Sequence, residues 1–237
     1  MYMERKQSTR IQTSLVNKAE RKVLVWMAER MPRWITSDML TCVGVLGAVI
    51  IAAGYVLSAG DYRWLWLASA GFVVNWFGDS LDGTLARVRN QQRPLYGFFL
   101  DHNVDGINET LMFAGLGLSP FMNMGLSMSL LAVYLLLSIY VYISAHLKGE
   151  FRLTYAKLGP TEFRLLAIIV NTLLVSIEPL RSYGRTWVLL GGEVQAGVLD
   201  YVGVVVLVVM VAMLLYSLIH DGREYAKIDP PKRGREN

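Results

Sequence analysis

The chain has 237 residues, 54% of them hydrophobic, and carries 23 Lys and Arg against 19 Asp and Glu for a net charge of +4. Such a composition leaves room for several membrane spans and little for a separate soluble domain, so one membrane domain is expected. Cys42 is the single cysteine, which excludes an intrachain disulfide, and the lack of C-x-x-C or clustered His and Cys argues against zinc or iron–sulfur chemistry.

In chain order, the first residues are polar and charged and do not resemble a cleavable signal. Ile11, Leu15, Ala19, Val23 and Met27 then recur every fourth residue, with Lys18, Arg21, Lys22 and Arg30 spread over the other faces. This spacing predicts an amphipathic helix lying on the membrane, read as an anchor in preference to a lid. It places residues 1–38 in a cytoplasmic interfacial segment. Thr36-Ser37-Asp38-Met39-Leu40-Thr41 opens the first span, and Thr, Ser and Asp all suit a helix N-cap. Six apolar segments follow, near residues 39–58, 63–80, 103–120, 122–146, 161–180 and 198–219, each approaching the ~20 residues that a spanning helix needs. The expected fold is therefore an all-α membrane protein, with six transmembrane helices over residues 39–220 preceded by the N-terminal amphipathic helix. Residues 221–237 form a basic, proline-containing cytoplasmic tail, expected to be disordered at the lipid surface.

Charge fixes the orientation. With both termini inside, every Lys and Arg except Arg63, Arg181 and Arg185 falls on the cytoplasmic side. Membrane topology accounts for the basic balance, and no nucleic-acid partner is expected.

The stretch Asp79 to Asp105 stands apart. Carboxylates are costly beside a bilayer, and an intramembrane charge is by default a functional site. Asp79 and Asp82 lie at i and i+3, Asp101 and Asp105 at i and i+4, so each pair projects from one side of its helix. Gly83 and Gly97 allow a helix or a bulky ligand to approach the backbone, and Ala86 keeps the same face low. Four negative charges so close either raise one another's pKa values or bind metal. Metal is the better reading. Oxygen-only ligands favour hard cations, magnesium first, which completes its octahedron with water and substrate phosphates. That chemistry points to phosphoryl transfer.

The string Asp79-x-x-Asp82-Gly83-x-x-Ala86-Arg87, nine further residues, then Gly97-x-x-x-Asp101-x-x-x-Asp105 resembles the signature of the CDP-alcohol phosphotransferases. The resemblance implies that Asp79, Asp82, Asp101 and Asp105 hold two divalent cations, Mg2+ with Mn2+ able to substitute, around a CDP pyrophosphate. An acceptor hydroxyl then attacks the phosphorus distal to cytidine and expels CMP. It makes Asp105 a candidate general base as well as a ligand, and Gly83, Ala86, Arg87 and Gly97 candidate substrate contacts. The segment Thr36–Thr41 is similar to a Thr-Pro-Asn-x-x-Thr motif of the family, with Ser37 and Asp38 as departures, and adds Thr41 to the candidate contacts. A homodimer packed through membrane helices is expected on the same ground.

His102 directly follows the third acid, and Glu162 opens the fifth span. The pair resembles the choline and ethanolamine phosphotransferase branch, where the matching residues are implicated in activating the acceptor hydroxyl; a histidine near neutral pKa suits that task. Glu162 also suits the first turn of a helix, where it complements the dipole. Lys148, Arg152, Lys157 and Arg164 gather around a cytoplasmic loop. Arg152 and Arg164 border apolar helix and are the expected phosphate contacts. His146 and His220 lie at span ends and read as interfacial.

The expected activity is transfer of a substituted phosphate from a CDP-alcohol, tilted by His102 and Glu162 toward a CDP-aminoalcohol donor and a lipid alcohol acceptor. The alternative is a CDP-diacylglycerol donor with a polar acceptor such as inositol phosphate, glycerol phosphate, serine or choline. A cation or metabolite transporter is the competing class, because paired intramembrane acids also coordinate a transported ion. Against it, the acids sit toward one side, no broken helices are evident, and the glycine, alanine and arginine positions go unexplained.

Overall fold

The computed structural model describes residues 9–11, 17–148, 150–152, 159–189 and 192–231. Eight α-helices dominate: α1 (Asn17–Arg30), α2 (Ser37–Leu57), α3 (Leu65–Val88), α4 (Pro94–Gly117), α5 (Met124–Lys148), α6 (Pro160–Ser176), the short α7 (Glu178–Ser182) and α8 (Val198–Ile228). Each of the six apolar segments read from the sequence falls on one long helix. Three of these, α2, Met124–Leu147 within α5, and α8, are long and apolar enough to cross a membrane on length and composition alone. The other three differ for a visible reason: α3 and α4 carry the acids, and α6 has 17 residues.

Helix boundaries follow local chemistry. Thr36 caps α2, its hydroxyl accepting from the Met39 amide at 3.2 Å. Pro94 and Pro160 stand at the first positions of α4 and α6, where a missing N–H costs nothing. Glu162 accepts from the Gly159 amide at 2.9 Å and Asp200 from the Gly197 amide at 2.8 Å, closing the starts of α6 and α8. Just beyond α3, Asn90 takes a left-handed φ of 53°.

The core is a backbone-to-backbone seam between α2 and α3. A Cβ added to Gly47 would lie 2.3 Å from the Asn75 nitrogen, and one added to Gly78 would lie 2.2 Å from the Gly44 nitrogen. Only glycine permits that approach, as in the small-residue interfaces of membrane helices. Gly115 of α4 sits equally close to Ala52 of α2. Toward the C-terminal end of α2, Ile51, Tyr55, Leu65, Phe72 and Leu174 pack together, and the Tyr55 hydroxyl bonds Asn171, which bonds Ser69, joining α2, α3 and α6. Toward its N-terminal end, Leu24 and Ala28 of α1 pack on Leu40, Leu81 and Leu85.

Three features depart from the sequence reading. The face of α1 that packs on the protein is Glu20–Leu24–Ala28 with Met27 of the four-residue series beside it, whereas Ala19 and Val23 are exposed and Ile11 belongs to a strand, β1 (Thr9–Ile11), parallel to β2 (Glu150–Arg152). Where the all-α expectation has no strand, β3 (Gly184–Leu189) and β4 (Gly192–Gly197) form an antiparallel hairpin, which satisfies backbone groups locally. Finally, α8 runs through Gly222 to Ile228, just short of Pro230, so the segment expected to be disordered from residue 221 begins as helix.

Candidate metal and phosphate site

The glycine seam positions the acids. Asp79 follows Gly78 directly on α3, so the tight α2–α3 approach fixes its backbone. Asp101 and Asp105 lie one turn apart on α4. Carboxylate oxygens of Asp79, Asp101 and Asp105 all come within 4.8 Å of one another. Asp82 stands outside that trio. Its carboxylate accepts from the Thr41 hydroxyl at 2.7 Å and from the Gly83 amide, while the Ser37 hydroxyl bonds its backbone carbonyl at 2.6 Å. Thr41 therefore orients an acid through a hydrogen bond across the seam.

Arg164, 85 positions away on α6, donates to Asp79 at 2.5 Å and to the Asn75 side chain at 2.9 Å, and Asn75 in turn donates to the Gly44 carbonyl at 2.9 Å. Its side chain is only 13% exposed. The guanidinium thus supplies the cation that a half-buried carboxylate cluster needs.

The two motif glycines behave unlike those of the seam. A Cβ on Gly97 would meet nothing within 4 Å, and one on Gly83 would touch only the guanidinium of Arg87 at 3.4 Å. These positions keep the space beside Asp101 and Asp82 open instead of packing helices. Ala86, half-buried, leaves the same side low, and exposed Arg87 donates to the Thr84 hydroxyl at 3.0 Å.

His102 turns Nδ1 to the Phe98 carbonyl at 2.8 Å, and its ring stacks on Phe98 at 4.0 Å and meets Tyr142 edge-on at 4.6 Å. Donation to a carbonyl puts the proton on Nδ1 and the lone pair on Nε2. Glu162 caps α6 through the Gly159 amide. Arg152 ends β2 and its side chain lies outside the described residues, as does Lys157.

Four residues of this region escaped the sequence reading. Asn75 precedes Asp79 by one turn, and Glu109 extends the Asp101–Asp105 series by another, its carboxylate hydrogen-bonded to Tyr134 of α5. Their i, i+4 spacing was the available signal. Arg89 donates to the carbonyls of Met31, Pro32 and Ile35, at 2.9, 2.8 and 2.5 Å, and ties the α1–α2 linker to the end of α3. Arg93 pairs with Asp38, and that hydrogen bond pushes its guanidinium above its already high ordinary value. No sequence pattern announces either arginine.

All the converging donors are carboxylate oxygens beside open space, a set that fits hard divalent cations and an anionic ligand. Apolar helices and this cluster together mark a membrane protein with converging carboxylates whose chemistry suits divalent cations. The chain belongs to the CDP-alcohol phosphatidyltransferase family, whose model matches residues 34–221, and that family is divalent-metal dependent. Among curated relatives it is 33% identical over 84 residues, 35% of this chain, to the phosphatidylinositol phosphate synthase of Cutibacterium acnes, covering 38% of that protein. It is 31% identical over 106 residues, 42% of this chain, to cholinephosphotransferase 1 of Xenopus laevis, covering 26% of it. Against cholinephosphotransferase 1 of Gallus gallus the figures are 28% over 159 residues, 64% of this chain and 46% of the relative. The chain therefore spans less than half the length of each of these relatives.

Proposed function

We propose that this protein transfers a substituted phosphate from a CDP-alcohol to an acceptor alcohol and releases CMP. The observation that carries the reading is the convergence of Asp79, Asp101 and Asp105 from two helices, with Arg164 held against them from a third. Two Mg2+ ions held by Asp79, Asp82, Asp101 and Asp105, with Mn2+ able to substitute, would neutralise charge on the pyrophosphate and on the leaving CMP. Family membership answers the transporter alternative.

The chain's own residues supply the rest. Thr41 holds Asp82 in place. Arg164, and Arg87 on the exposed side of α3, are the phosphate contacts that this chemistry needs, and Gly83, Ala86 and Gly97 leave the donor room. The acceptor oxygen forms its bond to the distal phosphorus as the bond to CMP breaks. His102 Nε2 takes the acceptor proton, with Asp105 as the competing base. Glu162, beside Thr161 at the start of α6, keeps its cap and supports the acceptor side.

The donor is a CDP-aminoalcohol and the acceptor a lipid alcohol such as diacylglycerol or ceramide. His102 beside Asp101, and the likeness to two cholinephosphotransferases, support this choice. The likeness to a phosphatidylinositol phosphate synthase supports the second reading, a CDP-diacylglycerol donor with a small polar acceptor. In either case α2 to α6 and α8 span the membrane, α1 lies at the inner surface, and both termini and the acids face the cytosol. A homodimer packed through membrane helices completes the proposal.

Purified protein incubated with CDP-choline, CDP-ethanolamine or CDP-diacylglycerol and mixed acceptors tests this. CMP release with the first two and diacylglycerol is the expected result. Release only from CDP-diacylglycerol selects the second reading, and release from none overturns both.

A further inference from the structure

Glu20 is the acid of α1 that faces inward, and the metal-site chemistry above makes no use of it. One carboxylate oxygen, Oε1, accepts from two other helices at once: the Trp76 indole N–H of α3 at 2.7 Å and the Thr161 hydroxyl of α6 at 2.6 Å. Both partners are neighbours of the site. Trp76 follows Asn75 and precedes Asp79 by three residues, while Thr161 stands one turn before Arg164 on α6. Arg164 in turn bonds Asn75 and Asp79. Bonds to an ionised acceptor are short and directional, so the carboxylate sets the spacing of the two helices it joins.

We propose that Glu20 is a positioning residue: anchored on α3 by Trp76, it fixes the first turn of α6 through Thr161 and so holds Arg164 in register with Asp79. The N-terminal helix is then part of the site's frame and not only an anchor. Its docking does not depend on Glu20, because Leu24 and Ala28 are packed on Leu81 and Leu85 and Arg89 ties down the linker that follows. The role in metal binding rests on the metal site proposed above, and the role in catalysis on the activity proposed with it.

The test is a Mn2+ binding titration of the full-length protein in detergent, followed by electron paramagnetic resonance, alongside CMP release. Glu20→Ala is expected to weaken Mn2+ binding by about tenfold, the low end of what outer-sphere partners contribute. Glu20→Gln keeps an oxygen acceptor and is expected to stay near wild type. In an Arg164→Ala background, adding Glu20→Ala is expected to shift binding no further. Unchanged Mn2+ affinity in Glu20→Ala, or an equal additional shift in the Arg164→Ala background, overturns the proposal. If Glu20→Ala does not fold, Thr161→Val and Trp76→Phe remove the donors singly; weakened binding in Thr161→Val supports the proposal, and normal binding in both overturns it. A wild-type protein that binds Mn2+ but releases CMP from no donor overturns the functional reading and leaves the positioning claim to stand on its binding result.

Discussion

Two groups of metal-type donors occur among the described residues, and they are built differently. Asp79, Asp101 and Asp105 come from two helices, fixed by a glycine seam and backed by an arginine 85 positions from Asp79. His220, Asp221 and Glu224 come from about one turn near the end of α8, with Asp221 buried, the other two exposed, and the Tyr140 hydroxyl bonded to Asp221 at 2.6 Å. Proximity in the second group is a by-product of helix geometry, since residues one and four apart are always near. The first group exists only because distant segments were brought together against charge repulsion. Convergence that costs the fold something is the better mark of function.

The largest expected effect comes from breaking the first group. Asp79→Ala or Asp101→Ala should each lower CMP release by more than about 100-fold, since even outer-sphere partners of a metal contribute 10–100-fold. Activity above a tenth of wild type at saturating Mg2+ would remove that residue from the site. Chelation should likewise stop turnover, with Mg2+ or Mn2+ restoring it and Ca2+ failing to, because calcium's larger and looser shell positions a pyrophosphate less tightly. Full rate in excess chelator would contradict the site altogether.

His102→Ala sharpens the comparison within the first group. An expected loss of ~100-fold, with donor affinity nearly intact, is what a general base contributes. A near-normal rate together with a severe Asp105→Asn phenotype would assign the base to Asp105 and remove the chemical argument for an aminoalcohol donor. Thr41→Val should cost somewhat less, about 10–100-fold, because it acts only by orienting Asp82. The smallest effect belongs to the second group. His220→Ala and Glu224→Ala should change CMP release by no more than about twofold, as surface substitutions away from special features do. A large loss there would give the α8 cluster a role that its geometry does not suggest.

One stability measurement tests the seam itself. Gly47→Ala places a Cβ 2.3 Å from the Asn75 nitrogen, an overpacking expected to cost about 1–3 kcal/mol or more. Gly97→Ala, which meets nothing within 4 Å, should leave stability unchanged and impair donor binding. Equal thermal stability of the two variants would mean that the two kinds of glycine had been misjudged.

Much of this protein was legible from its residues. The apolar runs became long helices because hydropathy and helix repeat are local properties, and the acid pairs kept to one face because i, i+3 and i, i+4 spacing is too. Thr36 capped α2 and Glu162 capped α6 as short-range chemistry allows. The sequence could not say which face of α1 would pack: the Ala19–Val23 series and the Glu20–Leu24–Ala28 series both satisfy a helical period. Only burial against Leu81 and Leu85 chose between them. Nor could it say whether Gly83 and Gly97 make room for a helix or for a ligand, since a glycine looks the same in both settings.

The apolar runs, the uneven placement of basic residues along the chain and the spacing of the acids are therefore properties of the sequence, read from periodicity over one or two turns. The partnership of Arg164 with Asp79, the bridge from Glu20 to Trp76 and Thr161, and the exclusion of Asp82 from the close trio belong to the tertiary structure. The first two join residues 56 or more positions apart, through contacts of 2.5–2.7 Å. No local preference encodes such a contact, because its geometry is set by how whole helices distant in sequence pack against one another.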